Sequence, residues 1–236
     1  MLLAIAGCTK TDTIAPPAEA DNRITEYKIV NVQGDPIYGT IHDADSSITV
    51  YLPFYKQLVV LEPEIKVSTG ATVQPGTGTL IENLLEVFQK GRDLKYTVTG
   101  KSGKKKTYTL KIDVQQPPLT LKEVSNSATE IKSFDINMSV NFSSITIGLK
   151  GSGFHENHDL MKVVLVDEAG KEYYPIAMSV TNTNDLNAIS ISLINYQANP
   201  DPVLTSLPAT GLYKIRVYSY ARKATTTFPI RINKLP

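Results

Sequence analysis

From residue 24 onward the chain alternates apolar and polar residues with a period of two, the signature of strands with one buried face. In ITEYKIV and SSITVYLP the pattern is plain: Ile48, Val50 and Leu52 face one way, and Ser47, Thr49 and Tyr51 the other. LKYTVTGKSGKKKTYTLKIDV reads as a hairpin. Tyr96 and Val98 lie on one arm, and Tyr108, Leu110, Ile112 and Val114 on the other, with Gly100 to Gly103 as the turn. Asp43 to Ser46 and Ser68 to Gly70 read as further turns. The alternation returns in SITIGLKGSGF, KVVLVDEAGKEYYPIAM, AISISLINY and GLYKIRVYSY, and Glu168 to Lys171 supplies a second hairpin turn. One stretch departs from this pattern. In TLIENLLEVFQKG, Leu80, Ile81, Leu84, Leu85 and Phe88 recur at helical spacing and Gly91 stands ready to cap them, which predicts one short helix. Many short strands with Gly, Pro and Asx punctuation predict an all-β fold of sandwich type.

The 236 residues suit two modest domains. Residues 1–20 read as a leader remnant and tether, 21–115 as a first sandwich, 116–118 as a Pro-rich junction and 119–236 as a second sandwich. Hydrophobic residues at 42% are enough to fill both cores. A net charge of +1 exerts no global pull on nucleic acid, so no nucleic-acid partner is expected. The single cysteine, Cys8, excludes a disulfide framework within the chain. Trp is absent and Tyr numbers 12, so any aromatic platform for a sugar must be built largely from tyrosine.

Few residues point to chemistry. TGKSGKKK contains Gly-Lys-Ser, but position 95 is Lys where a phosphate loop needs Gly, and no helix follows. Lys101, Lys104, Lys105 and Lys106 read instead as a solvated hairpin tip. FHENHD sets His155 and His158 beside Glu156 and Asp159, yet offers no third ligand of metalloprotease type, and no metal site is assigned. No nucleophile constellation is present, so no catalytic residue and no cofactor is expected. LYKIRVYSYARK carries the main surface signal. As a strand it sends Tyr213, Ile215, Val217 and Ser219 inward and Lys214, Arg216, Tyr218 and Tyr220 outward, with Arg222 beyond. Arg216, Tyr218, Tyr220 and Arg222 are therefore the candidate ligand-binding residues, able to stack on sugar rings or to meet a protein partner. The competing reading is an ordinary outer sheet face stabilised by cross-strand tyrosines.

Three resemblances sharpen these expectations. Ile5-Ala6-Gly7-Cys8, behind a short apolar run, resembles the lipobox of bacterial lipoproteins, though no Lys or Arg precedes the run. The resemblance implies acylation of Cys8 and a membrane partner through a lipid anchor. YGTIHDADSSITVYLP, ATVQP and the closing hairpin, over roughly residues 24–114, resemble the N-terminal immunoglobulin-like or cadherin-like sandwiches of Bacteroidetes surface lipoproteins. Gly151-Ser152-Gly153-Phe154 and the stretch from Pro208 to Val217 resemble an IPT/TIG domain, which is also immunoglobulin-like. Together they imply two tandem immunoglobulin-like β-sandwich domains in an exported outer-membrane or surface lipoprotein. Its role, at the surface or in the periplasm, would be non-catalytic binding or spacing, as an accessory glycan-binding component of a polysaccharide-uptake system, with glycan or another surface protein as partner. The alternatives are a structural or protein-adaptor lipoprotein with no small ligand and, remotely, a hydrolase or hydrolase accessory.

Overall fold

The computed structural model describes residues 20–91, 94–155, 157, 159–180, 186–196 and 199–236. Cys8, Glu156 and His158 lie outside the described residues. The fold is all-β. The first half holds β1 (Ile24–Ile29), β2 (Ile37–His42), β3 (Ser47–Pro53), β4 (Pro63–Val67), β5 (Thr72–Gln74), helix α1 (Leu84–Lys90), β6 (Leu94–Thr99) and β7 (Lys105–Gln115). The second half holds β8 (Thr120–Leu121), β9 (Ser133–Asn137), β10 (Phe142–Ser152), β11 (Met161–Val166), β12 (Glu172–Tyr173), β13 (Ala177–Val180) and β14 (Ala188–Tyr196). It ends with helix α2 (Pro202–Ser206), β15 (Thr210–Ser219), β16 (Arg222–Thr225) and β17 (Ile230–Leu235).

The first seven strands run in the order β4-β1-β2-β3-β7-β6-β5, antiparallel except for the parallel pair β3 and β7. The path folds over on itself at β2. Ile37 and Tyr38 pair with β1, whereas Gly39 to His42 pair with β3. The fold-over brings Tyr27 of β1 against Tyr96 of β6, ring centroids 5.5 Å apart edge to face and hydroxyls 3.2 Å apart. Both rings are buried, in a core with Ile29, Ile48, Val50, Leu52, Val98 and Tyr108. Gly39 sits at the crossing, where a side chain would press on Ile48, Tyr27 and Val50.

The second half stacks a four-stranded sheet, β13-β14-β10-β8, on a larger one, β12-β11-β15-β17-β9 with β16 beside β15. Strict alternation fills the space between them. Ile145, Ile147, Leu149, Ile189, Ile191 and Leu193 come from one sheet, and Val163, Leu165, Tyr213, Ile215, Val217 and Ile232 from the other. Burying each such aliphatic side chain contributes about 1.5–3 kcal/mol before ordering entropy is counted.

The helical spacing in TLIENLLEVFQKG is realised only from Leu84, and Gly91 caps it in the left-handed region at φ 63°. Ile81 instead bridges Leu61, and Leu80 is exposed. Helix α2 was not foreseen. Its signal is Asp201-Pro202, a capping residue followed by Pro at the first helical position. The Gly-x-Gly-Phe motif has a steric reason. A methyl group on Gly151 would overlap the Thr120 carbonyl oxygen, and one on Gly153 would meet the Pro118 carbonyl at 2.8 Å. Both glycines let the incoming chain lie flat against β10, and Phe154 closes the core beneath them. Replacing Gly151 by Ala is expected to lower stability by about 1–3 kcal/mol. Gly148→Ala on the same strand, with open space around it, should stay within about 0.5 kcal/mol. Urea unfolding midpoints of the two variants check the pair.

Candidate functional site

The two halves meet in a packed seam, and its centre is Tyr220. β15 ends at Ser219, and Tyr220 occupies the tight turn before β16 at φ 51°. That turn takes the ring out of the strand alternation and drives it into the first half, where it is 1% exposed. The ring packs against Phe54 and Phe88 at centroid distances of 6.0 and 5.1 Å. Its hydroxyl donates to the Leu58 carbonyl at 2.7 Å, and its N–H donates to the Leu160 carbonyl at 2.7 Å. Burial pushes its phenol pKa up, so the hydroxyl remains a donor. The junction joins in. Gln116 donates its amide to the Ser219 carbonyl at 3.1 Å and accepts from the Ala221 N–H at 3.0 Å. His155 is buried here too, its ring edge-on to Phe54 at 5.1 Å and its Nδ1 accepting from the Asn157 N–H at 2.9 Å. Among the described residues no three His, Cys, Asp or Glu side chains gather to hold a metal ion. No helix among the described residues is long and apolar enough to cross a membrane.

Helix α1 completes the seam. It lays Leu85 on the outer face of β11 and β15, over Val164, Val166 and Tyr218. This corrects the expected stacking surface. Tyr218 and Tyr220 do not share an open face, because one is roofed by a helix from the other half and the other is inside the seam. Tyr218 donates to the Glu172 carboxylate, and Arg216 holds the same carboxylate at 2.7 Å. Of the four candidates only Arg222 is exposed, beside a pocket of about 110 Å³ shared with Tyr218 and Tyr220, too small for a sugar ring. Alternation marks the outward residues of a strand but says nothing of what another part of the chain lays over them.

The seam opens on one side into a groove of about 560 Å³. Asn83, Leu85, Glu86, Gln89 and Lys90 of the α1 region form one wall, and Met161, Lys162, Tyr174 and Ile176 form much of the other. Tyr174 is 55% exposed, and the Lys162 ammonium sits 3.3 Å from its ring centroid. The cation fixes one face of the ring. Burial pulls the Lys162 pKa down. The amide nitrogen of Gln89 is buried with no acceptor among the described residues. Two carboxylates, Glu86 and Asp159, balance two ammoniums, Lys90 and Lys162, along the lining. The lining thus combines an exposed aromatic ring with two carboxylates and two ammoniums. Tyr174 escaped the sequence reading, yet Tyr173-Tyr174-Pro175 carries a signal: in a strand, if one tyrosine faces the core, the next faces out.

Residues 24–112 match the family model described as SGBP, N-terminal. This is the stretch that resembles the N-terminal modules of surface lipoproteins. No curated protein matches the chain. Among solved structures it is similar to a candidate glycoside hydrolase from Bacteroides thetaiotaomicron at 16% identity, over 94% of this chain and 83% of that one, with a TM-score of 0.33. It is also similar to an endo-fucoidan hydrolase of glycoside hydrolase family 107 at 12% identity, over 61% of this chain and 18% of that one, TM-score 0.24. A third is the complex of Dpr2 Ig1-Ig2 with DIP-Theta Ig1-Ig3, at 12% identity over 61% and 64%, TM-score 0.25. Likenesses this remote say nothing about activity.

Two expectations follow from the seam. Tyr220→Phe leaves the Leu58 carbonyl without its donor and should cost about 1–3 kcal/mol in urea unfolding. Tyr220→Ala, which also empties the ring site, should cost more. The second expectation concerns Glu172. Burial by itself raises its pKa, but the Tyr218 hydroxyl and the Arg216 guanidinium outweigh burial and hold it below its ordinary 4.5. A depressed folded pKa stabilises fully above the unfolded value and is lost as pH falls through the folded one. Stability should therefore decline below about pH 4.5. Glu172→Gln should flatten that part of the decline in a pH series of unfolding midpoints.

Proposed function

We propose that the chain is a non-catalytic, lipid-anchored surface protein that binds neutral glycan as an accessory of a polysaccharide-uptake system. The match of residues 24–112 to the SGBP N-terminal family carries this reading, because that family belongs to glycan-binding proteins of the bacterial surface. The anchor is Cys8, on the strength of its lipobox-like setting, and the location is the outer membrane or cell surface. The second half acts as an IPT/TIG-like module. The groove beside α1 is the binding site, with the free face of Tyr174 stacking on a sugar ring and Asp159, on the groove lining, facing its hydroxyls.

Strand directions support a spacing role as well. β7 and β15 are 11 and 10 residues long, so each spans about 35 Å. Both finish near the seam, through Gln115 and Ser219. The chain enters at the opposite pole, where Asp21 accepts from the N–H of Ser102 at 2.8 Å in the turn before β7. A tether arriving there holds the groove well away from its point of attachment. A protein-adaptor reading has one observation in its favour: Phe142 and Tyr196 are exposed at 59% and 55% as an edge-to-face pair.

The test is native affinity electrophoresis and calorimetry of the full chain, carrying Cys8→Ala, against soluble neutral β-glucan, β-mannan and β-xylan. At least one should retard the protein without release of reducing ends. Tyr174→Ala should weaken that binding about tenfold. Retardation by none of them, unchanged affinity in Tyr174→Ala, or release of reducing ends would count against the proposal.

A further inference from the structure

The first sheet carries a second pair of exposed rings, on its face away from the core. Tyr38 on β2 and Tyr51 on β3 are 61% and 54% exposed. The β2–β3 register pairs Thr40 with Thr49 and Gly39 with Val50. Tyr38 and Tyr51 come one step beyond the last of these pairs, on the same outward face as Thr40 and Thr49. Further out, Tyr38 is the register partner of Lys28 on β1, and Tyr51 that of Asp113 on β7. The two rings thus stand on either side of the fold-over at β2, Tyr38 on the β1 side and Tyr51 on the β3 side.

The charges nearest the two rings are largely spent on one another. Lys28 reaches Glu64 at 2.8 Å and Glu26 at 3.6 Å, while Lys66 holds Glu26 at 2.9 Å. Lys111 pairs with Asp45 at 3.4 Å. What remains available is two tyrosine rings, threonine hydroxyls and the Asp113 carboxylate. That set offers apolar ring faces and hydrogen-bond acceptors with no positive surplus. It suits the pyranose faces and hydroxyls of a neutral sugar chain and repels phosphate or nucleic acid.

We infer that Tyr38 and Tyr51 form a second glycan-binding surface, separate from the groove at the seam. The inference rests on the glycan-binding reading and adds a site to it. Because the seam packs the two halves together, the platform and the groove keep a fixed spacing. A polymer that engages both loses little further freedom on the second contact.

The experiment compares Tyr38→Ala/Tyr51→Ala, Tyr174→Ala and the parent, all full-length with Cys8→Ala. The probes are β-glucan, β-mannan and β-xylan and their hexaoses. Both rings are exposed, so the double variant should keep the parent's urea midpoint. It should bind the retarding polymer about tenfold more weakly. With the hexaose its stoichiometry should fall from about two to about one. Parental polymer affinity and stoichiometry in the double variant, with binding lost in Tyr174→Ala, would overturn the second site and leave the groove reading intact. Loss in the double variant with none in Tyr174→Ala would support the platform and remove the groove. Failure of the parent to bind any probe would overturn both.

Discussion

The structure depends on one residue held in an uncomfortable conformation. A tyrosine at φ 51° costs of order 1–2 kcal/mol against the extended alternative. The cost is offset by burying the ring among Phe54 and Phe88 and by the bond from its hydroxyl to the Leu58 carbonyl. Without that turn, β15 would continue its alternation and Tyr220 would face water. With it, the first and second halves share a core: Tyr220 and Leu160 cluster with the aliphatic residues of the first sheet rather than with their own. Gln116 clamps both sides of the same turn, so the junction is a structural member and not a loose linker. The stiffness suggested by Pro117 and Pro118 is reinforced by hydrogen bonds that the prolines themselves cannot donate.

The seam also decides which surfaces are covered and which stay open. By placing α1 over Val164, Val166 and Tyr218 it removes one candidate surface. By stopping short of Lys162 and Tyr174 it leaves the groove. The Glu172 cluster marks the border between the two. A carboxylate there is tolerated because a guanidinium and a phenol both donate to it, and this fixes Arg216 and Tyr218 as internal scaffolding. A side chain already committed to a partially buried partner has little left to give a sugar hydroxyl.

Much of the fold was legible because its signal is local. The hairpin of β6 and β7 announced itself through Tyr96, Tyr108 and Leu110 around a Gly-bounded turn, and β10 through Ile145, Ile147 and Leu149. The outward direction of Tyr51 was equally plain from its neighbours Val50 and Leu52. The helix was half legible. Its apolar spacing begins at Leu80, but Ile81 gains more by bridging Leu61, and the helix starts only at Leu84. The site was the least legible part, for a definite reason. Period-two patterning assigns a residue to one face of its own sheet. Whether that face meets water or another body depends on contacts between residues far apart in sequence, such as Tyr220 with Leu58 or Leu85 with Val164.

The same logic explains why the remaining open aromatics matter more than the buried ones. Tyr27, Tyr108, Tyr213 and Tyr220 are accounted for by packing, and their removal would be felt as instability. Tyr38, Tyr51 and Tyr174 contribute little to a core, and each large ring is more than half exposed. Such open rings keep apolar faces that a packed ring has already spent. The three lysines at the opposite pole, Lys101, Lys104 and Lys105, are exposed and lie beside the incoming chain at Asp21. Their exposure follows from the turn and strand end they occupy and not from the composition, whose net charge is +1.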